Sequence, residues 1–149
     1  MRGFLMKLFT IGFTKKDAKT FFSLLIKNNV KTVIDIRLNN HSQLAGFTKG
    51  NDLAYFLKAI AGIEYYYFIQ AAPEESLLKK WQKGEISWPE YESAYKAMLV
   101  KRNIIEKIDA KILEDGCLLC SEPTSEQCHR RLLAEYLREK VPGLEIGHI

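Results

Sequence analysis

A run rich in β-branched residues, Thr32-Val33-Ile34-Asp35-Ile36-Arg37, predicts a buried β-strand. Upstream of it, residues 7–12 form a short β-leaning segment. Between the two segments, apolar residues recur at helical spacing, namely Ala18, Phe21, Phe22, Leu25 and Ile26. Thr14 and Asp17 precede this stripe with the spacing of a capping box, which predicts the start of the helix. A strand, a helix and a strand in this order predict a βαβ unit with parallel strands.

The same alternation of strands and helices continues to the end of the chain. Three further strands are predicted, over residues 64–69, 117–121 and 144–149. Helices between them are expected to begin at polar caps, namely Asn51 or Asp52, Ser87, and Thr124 with Ser125. Residues 73–115 carry helical patterns throughout and therefore predict a helical section before the fourth strand.

These elements predict an α/β fold of three layers, in which helices cover both faces of a mostly parallel sheet of four or five strands. The 149 residues are expected to form one domain, spanning residues 1–149. Hydrophobic residues make up 47% and charged residues 27%, which excludes disordered, collagen-like and coiled-coil proteins. Because no apolar run approaches roughly 20 residues and the start lacks a signal-peptide pattern, we expect a cytoplasmic protein with no membrane partner.

Polar residues follow three of the predicted strands and occupy the start of the last helix. They are Thr10, Gly12, Asp35, Arg37, Cys120, Glu122, Cys128, His129 and Arg130. If the strands are parallel, all of these residues lie at one edge of the sheet, where open α/β sheets bind their ligands. The net charge of +4 permits an anionic partner at this edge.

Asp35 and Arg37 are two positions apart, so both side chains project from the same face of the strand. One interpretation is an ion pair that holds the following loop in place. The other is an anion-binding arginine that the carboxylate orients. Both interpretations supply partners for charges that would be costly to bury alone.

The chain has three cysteines, an odd number that cannot form a closed disulfide framework. Cys117 and Cys120 match C-x-x-C, but residues three apart in a strand face opposite sides, so we expect Cys117 to be a small buried hydrophobe. Cys128 is placed near a helix start beside basic residues, where a thiol has a lowered pKa and can act as a nucleophile. Alternatively, Cys128 packs inward and His129 hydrogen-bonds to a carbonyl group.

Two other functions fit parts of the sequence. A zinc ion is one alternative, with Cys120, Cys128, His129 and Glu122 as its ligands. The spacing of these residues, however, fits no common structural zinc pattern. Nucleic acid is a possible partner of the cationic and aromatic residues in the helical section, namely Lys79, Lys80, Lys83, Lys101 and Arg102 with Trp81, Trp88, Tyr91 and Tyr95. The same aromatic residues also fit the core stripe of amphipathic helices.

Four segments of the chain resemble DUF488, a family defined as a domain of unknown function. They are Phe9-Thr10-Ile11-Gly12, Val33-Ile34-Asp35-Ile36-Arg37, Ser42 with Gly46-Phe47-Thr48-Lys49, and Leu118-Leu119-Cys120-Ser121-Glu122 through Cys128-His129-Arg130. The last segment carries the pattern C-x-E-x5-C-H-R, which is long and chemically unusual. The resemblance covers nearly the whole chain and departs at Gln70-Ala71-Ala72-Pro73, where a Gly-Gly pair is common.

The resemblance implies a compact α/β fold and a site built from the matching positions, but it supplies no reaction. The loop that carries Ser42 and Lys49 follows the second strand and could form a lid. We expect a small anionic or phosphate-bearing ligand bound by Arg37, Arg130, Glu122, Thr10, Gly12, Ser42 and Lys49. A thiol-dependent reaction would use Cys128 or Cys120 as the reactive group, His129 as the base or thiolate partner, and Asp35 to orient Arg37. We expect neither a metal ion nor a cofactor, and the oligomeric state stays open.

Overall fold

The computed structural model describes residues 5–41, 46–121 and 126–149. The strands are β1 (Met6–Gly12), β2 (Thr32–Asp35), β3 (Glu64–Tyr67), β4 (Gly116–Cys120) and β5 (Leu144–His148). The helices are α1 (Ala18–Lys27), α2 (Gly50–Ala61), α3 (Glu75–Gln82), α4 (Trp88–Lys101), α5 (Ile104–Lys107), α6 (Ala110–Leu113) and α7 (His129–Lys140). Single 3₁₀ turns lie at Gly46–Thr48 and Ile69–Ala71.

The strands form one parallel sheet in the order β3-β2-β4-β1-β5. In this sheet β2 and β4 are direct neighbours that run in the same direction, with Val33 opposite Cys117. The predicted α/β fold with a parallel sheet is therefore confirmed.

Helices cover both faces of the sheet, as predicted. On one face, α1 and α2 pack against the sheet through apolar residues that include Phe21, Phe22, Leu25, Leu53 and Leu57. On the other face, α4 and α7 do so through residues that include Tyr91, Tyr95, Leu99, Leu132 and Leu133. Cys117 lies in the first of these cores and Cys120 in the second, because residues three apart in a strand face opposite sides.

The helical section before β4 is confirmed over α3, α4, α5 and α6. Ser87 caps α4 as predicted: its hydroxyl accepts a hydrogen bond from the backbone of Glu90, and the Glu90 side chain accepts one from the backbone of Ser87. Gly62 ends α2 in the left-handed conformation at a φ of 66°, which glycine adopts without steric cost. No helix among the described residues is long and apolar enough to cross a membrane.

Two predicted helix starts are wrong. The N-cap of α1 is Asp17, whose carboxylate accepts a hydrogen bond from the backbone of Thr20, and not Thr14. The backbone turns at Lys15, where φ is 65°, so a helix cannot begin at Thr14. The N-cap of α2 is Lys49, which lies two residues before the predicted cap Asn51 and three before the alternative, Asp52.

Helix α7 begins at His129, and its N-cap is Cys128. Its predicted caps, Thr124 and Ser125, lie outside the described residues, as do the predicted site residues Ser42 and Glu122. Strand β2 ends at Asp35, two residues before Arg37, so Arg37 belongs to the loop that follows the strand.

The strand order creates a crevice at the carboxyl end of β4. The chain leaves β1 and β2 through α1 and α2 on one face, and it leaves β4 through α7 on the opposite face. Because β4 lies between β1 and β2, its connection diverges from those of both neighbours. Such a switch point is where open α/β sheets bind ligands.

Candidate functional site

A cavity of about 610 Å³ lies at the carboxyl end of β4. Four of the residues that the sequence predicted for the site line it, namely Arg37, Cys120, Cys128 and His129. They come from the loop after β2, the end of β4 and the start of α7, which the parallel sheet brings to one edge. Trp81, Trp88 and Tyr91, from α3 and α4, form an aromatic wall of the same cavity.

Asp35 and Arg37 form a buried ion pair at this edge. The Arg37 Nε donates to Asp35 Oδ1 at 2.9 Å, and its Nη2 donates to Oδ2 at 2.8 Å. The Tyr65 hydroxyl donates to Asp35 Oδ2 at 2.6 Å, and Nη2 of Arg37 also donates to the Thr48 carbonyl at 2.7 Å. This two-point contact fixes the plane and orientation of the guanidinium group.

The third nitrogen of the same guanidinium group lacks a partner. Arg37 is 3% exposed, and its Nη1 is buried without a hydrogen bond from any described residue. The guanidinium carbon lies 5.4 Å from the centroid of the Phe13 ring, so one face of the guanidinium group is against an apolar ring. A buried donor without an acceptor is costly, so Nη1 stands out as an available donor beside the cavity.

Two tyrosines of β3 hold this arrangement together. Burial raises the pKa of Tyr65 well above its ordinary value of 10.0, and the neighbouring Asp35 adds to the rise, so the hydroxyl stays protonated and donates. The Tyr67 hydroxyl donates to the carbonyl groups of Arg37 and Leu38 at 2.9 and 3.0 Å. The sequence alone did not indicate a role for either residue, because that role depends on β3 lying next to β2.

His129 contacts the chain just after β2. Its Nε2 is 3.0 Å from the carbonyl oxygen of Ile36. Because a carbonyl can only accept, Nε2 carries the proton and Nδ1 is left with its lone pair. Burial lowers the pKa of His129 to about 4, and the nearby Arg130 charge acts in the same direction. The ring is therefore neutral at pH 7 and can accept a proton at Nδ1.

The structure pairs Cys120 and Cys128 as a disulfide across eight residues of sequence. Behind Cys120 lies Arg130, which is 1% exposed and donates from Nη1 to the Cys120 sulfur at 3.4 Å. Arg130 also donates from Nε to the Thr10 hydroxyl at 3.2 Å, and that hydroxyl is hydrogen-bonded to His148. Arg130 thus contacts the cysteine from the protein interior, and Thr10 contacts Arg130.

The remaining predicted residues lie at the margin of this arrangement. Gly12 pairs with Cys120 in the ladder between β1 and β4. Lys49 is half-buried at the N-cap of α2, next to the Thr48 carbonyl that Arg37 contacts. In the part of the chain that the structure describes, no group of three or more His, Cys, Asp or Glu side chains could hold a metal ion. The zinc hypothesis therefore draws no support from Cys120, Cys128 and His129 alone.

The aromatic residues of the helical section divide into two groups. Tyr91 and Tyr95 are buried in the core, as the amphipathic-stripe interpretation predicts. Trp81 and Trp88 are only half-buried, with ring centroids 5.3 Å apart, and both border the cavity. The sequence pattern predicts helical positions for Trp81 and Trp88 but does not indicate that α3 and α4 border the crevice.

The family model of DUF488, described as a domain of unknown function, matches residues 17–137. The chain belongs to the DUF488 family. No curated protein and no solved structure matches it. The resemblance that the sequence motifs indicated is therefore confirmed, and the family supplies no reaction for the site.

In this DUF488 chain, the loop at residues 70–73 follows β3 and contacts α4. Arg102 donates to the carbonyls of Gln70 and Ala72 at 2.9 and 2.8 Å, and the Tyr95 hydroxyl donates to the Ala71 carbonyl at 2.7 Å. The backbone of this loop is thus bound to α4 and its C-terminal cap. Its carbonyl groups serve packing in this DUF488 protein.

Proposed function

We propose that this DUF488 protein binds a small anionic ligand in the cavity at the carboxyl end of β4, with a reactive thiol pair beside the ligand. One observation carries the proposal: Arg37 Nη1 is buried without a partner among the described residues, in a side chain that lines the cavity. A phosphate or carboxylate oxygen would satisfy this donor and gain a charge-assisted hydrogen bond.

Asp35 does not cancel this role of Arg37. The carboxylate uses Nε and Nη2 of the guanidinium group, so it orients the group and leaves Nη1 available. The start of α7 adds favourable potential for an anion, because first-turn amides and the helix dipole carry partial positive charge. Neutral His129 contributes an acceptor at Nδ1, which suits a general base or a partner for a ligand hydroxyl.

The aromatic wall narrows the class of ligand. Trp88 stacks on Tyr91 with a centroid distance of 5.2 Å and an angle of 20° between the rings, so its position is fixed by packing. A ligand that contacts Arg37 with its anionic group can place a flat apolar part against Trp81 and Trp88. Ligands that combine an anionic group with a planar ring are therefore expected to bind more tightly than inorganic phosphate.

In this proposal two buried residues, Arg130 and Thr10, position the Cys120 sulfur from the interior side of the protein. Arg130 holds Cys120 through its sulfur, and Thr10 holds Arg130 through its hydroxyl. A guanidinium donor favours the thiolate over the thiol, which is the state that a nucleophile needs. We assign Arg130 and Thr10 as positioning residues and Cys120 and Cys128 as the reactive groups.

The proposal is tested by titrating the protein with phenyl phosphate and with inorganic phosphate in a calorimeter. Arg37→Lys keeps the charge but cannot supply both the contact to Asp35 and a third donor, so binding should weaken about tenfold or more. Arg138→Gln removes an exposed charge at the far end of α7 and should bind like wild type. Equal affinity of wild type and Arg37→Lys, or no binding at low ionic strength, would overturn the proposal.

A further inference from the structure

We propose that Cys120 and Cys128 form a redox pair that exchanges with small anionic disulfides, an inference that rests on the proposed function for its choice of substrate. The pair lines the same cavity as Arg37 and His129. The reaction class is thiol–disulfide exchange, in which the substrate disulfide is reduced and the protein dithiol is oxidised.

The geometry allows the pair to exist in both states. The structure describes the closed state, in which Cys120 at the end of β4 and Cys128 at the start of α7 are paired as a disulfide. Reduction of this bond would free two thiols beside the same cavity.

The two cysteines have different surroundings, which assigns them different tasks. Cys128 is buried, but it lines the cavity and, as the N-cap of α7, lies at the positive end of the helix dipole. Cys120 is fully buried and accepts a hydrogen bond from Arg130. Cys128 is therefore the attacking thiol, and Cys120 is the resolving thiol whose thiolate Arg130 stabilises.

The third cysteine provides an internal contrast. Cys117 lies in the core under α1 and α2, on the opposite face of the sheet from Cys120. Burial raises the pKa of the Cys117 thiol above its ordinary range. Cys117 is thus expected to remain an unreactive thiol under conditions in which the pair exchanges.

The exchange balances in two steps. The Cys128 thiolate attacks one sulfur of the substrate disulfide, which forms a mixed disulfide at Cys128 and releases the first substrate thiolate. The Cys120 thiolate then attacks the Cys128 sulfur, which closes the Cys120–Cys128 disulfide and releases the second substrate thiolate. Two electrons pass from the protein dithiol to the substrate, and both released thiolates take up protons from water. A small dithiol returns the protein to its reduced state.

The anionic preference follows from Arg37. A disulfide that carries carboxylate groups can place one of them on Arg37 Nη1 while its sulfurs reach the cysteines on the neighbouring wall. A cationic disulfide of similar size is repelled by the positive charge of the same guanidinium group. Because the leaving thiols of such disulfides differ in pKa, each rate is compared with that of a small free thiol and the same disulfide. Relative to this reference, exchange with the protein should favour the anionic disulfide.

The test uses the reduced full-length protein and three probes: dithiodiglycolate (anionic), hydroxyethyl disulfide (neutral) and cystamine (cationic). Intact-mass analysis follows the mixed disulfide and the loss of two hydrogen atoms as the internal bond closes. Wild type and Cys117→Ala should close the internal disulfide. After division by the rate of 2-mercaptoethanol with the same probe, the anionic probe should react about tenfold or more faster than the cationic one. Cys120→Ala should stop at the mixed disulfide, and Cys128→Ala should react slowly. Circular dichroism checks that each variant is folded.

The outcomes separate this inference from the proposed function. If phenyl phosphate binds but wild type forms neither a mixed nor an internal disulfide, the redox inference fails and anion binding stands. If the internal disulfide closes at equal rates with all three probes relative to 2-mercaptoethanol, and Arg37→Lys changes none of these relative rates, the choice of an anionic substrate fails with the proposed function. A stable mixed disulfide on Cys128→Ala instead of Cys120→Ala would overturn the assigned order of attack.

Discussion

At Arg37 a single side chain serves both structure and the proposed binding. Its Nε and Nη2 atoms contact Asp35, and Nη2 also contacts the Thr48 carbonyl, so the loop after β2 is fixed to the start of α2. The sequence left an ion pair and an anion-binding arginine as alternatives. The ion pair is present, and it still leaves Nη1 without a partner among the described residues. The two interpretations are therefore compatible, because guanidinium offers more donors than one carboxylate uses.

His129 predicts how the stability of the protein changes with pH. Its pKa is lowered from 6.5 in an unfolded chain to about 4 in the folded protein. Between these values the unfolded state binds a proton that the folded state does not, so stability falls as the pH drops from 6.5 to 4. The lost free energy of unfolding approaches about 3 kcal/mol. Urea unfolding at several pH values measures it.

Two histidine variants isolate this contribution. A glutamine at position 129 does not titrate, so the stability of His129→Gln should fall less steeply with decreasing pH than that of wild type. His41→Gln removes an exposed histidine from the loop after β2 and should keep the wild-type pH profile. If wild type and His129→Gln lose stability in parallel from pH 6.5 to 4, then His129 is not buried as a neutral ring.

At the scale of the elements, the start of β4 packs closely against α6. A Cβ atom added at Gly116 would lie 2.2 Å from the carbonyl oxygen of Ile112 and 3.0 Å from a methyl group of Ile34. The first contact is with backbone, which cannot rotate away, so Gly116→Ala must separate β4 from α6. We expect it to lower the free energy of unfolding by about 2 kcal/mol or more, as measured by urea unfolding.

Gly46 provides the matched control for this substitution. A Cβ at Gly46 meets no described atom within 4 Å, and the residue begins the 3₁₀ turn before α2. Gly46→Ala should leave stability unchanged or raise it slightly, because alanine restricts the unfolded chain. Equal stability of the two variants would show that β4 and α6 can separate without cost.

The strands could be predicted from the sequence more reliably than the starts of the helices. The run at residues 32–37 contains β-branched residues that suit a strand buried on both faces, and the alternation with helices required parallel neighbours. The predicted start of α1 was wrong because the positive φ at Lys15 prevents a helix from beginning at Thr14, and the N-cap is Asp17. The predicted start of α2 was wrong because its N-cap is Lys49, whose side chain has no oxygen that could cap the helix. Such local turns have weak sequence signals.

Only part of the candidate site could be predicted from the order of strands and helices. Arg37, Cys120, Cys128 and His129 follow from one rule, that parallel strands bring their carboxyl ends to one edge. The aromatic wall does not follow from this rule, since it depends on how α3 and α4 fold back over that edge. The pairing of Cys120 with Cys128 could not be predicted either, because it depends on the end of β4 meeting the start of α7.

At the scale of the whole molecule, the connections that follow neighbouring strands lie on opposite faces of the sheet, and this opens a crevice at one edge. The chain leaves β1 and β2 on one face and β4 on the other, so the crevice opens at the carboxyl end of β4. The helical section between β3 and β4 then closes one side of this crevice with Trp81 and Trp88. These are the two tryptophans of the chain, so the fluorescence of the whole protein reports on the cavity.

This arrangement makes a prediction about tryptophan accessibility. Saturating phenyl phosphate should cover both indole rings and lower the quenching of tryptophan fluorescence by acrylamide, with excitation where the ligand does not absorb. Arg138→Gln should show the same protection, whereas Arg37→Lys at the same ligand concentration should show little, because its affinity is reduced. Inorganic phosphate should protect less than phenyl phosphate, since it lacks a ring to lie against Trp88. Unchanged quenching in wild type, with binding seen by calorimetry, would place the ligand outside this cavity.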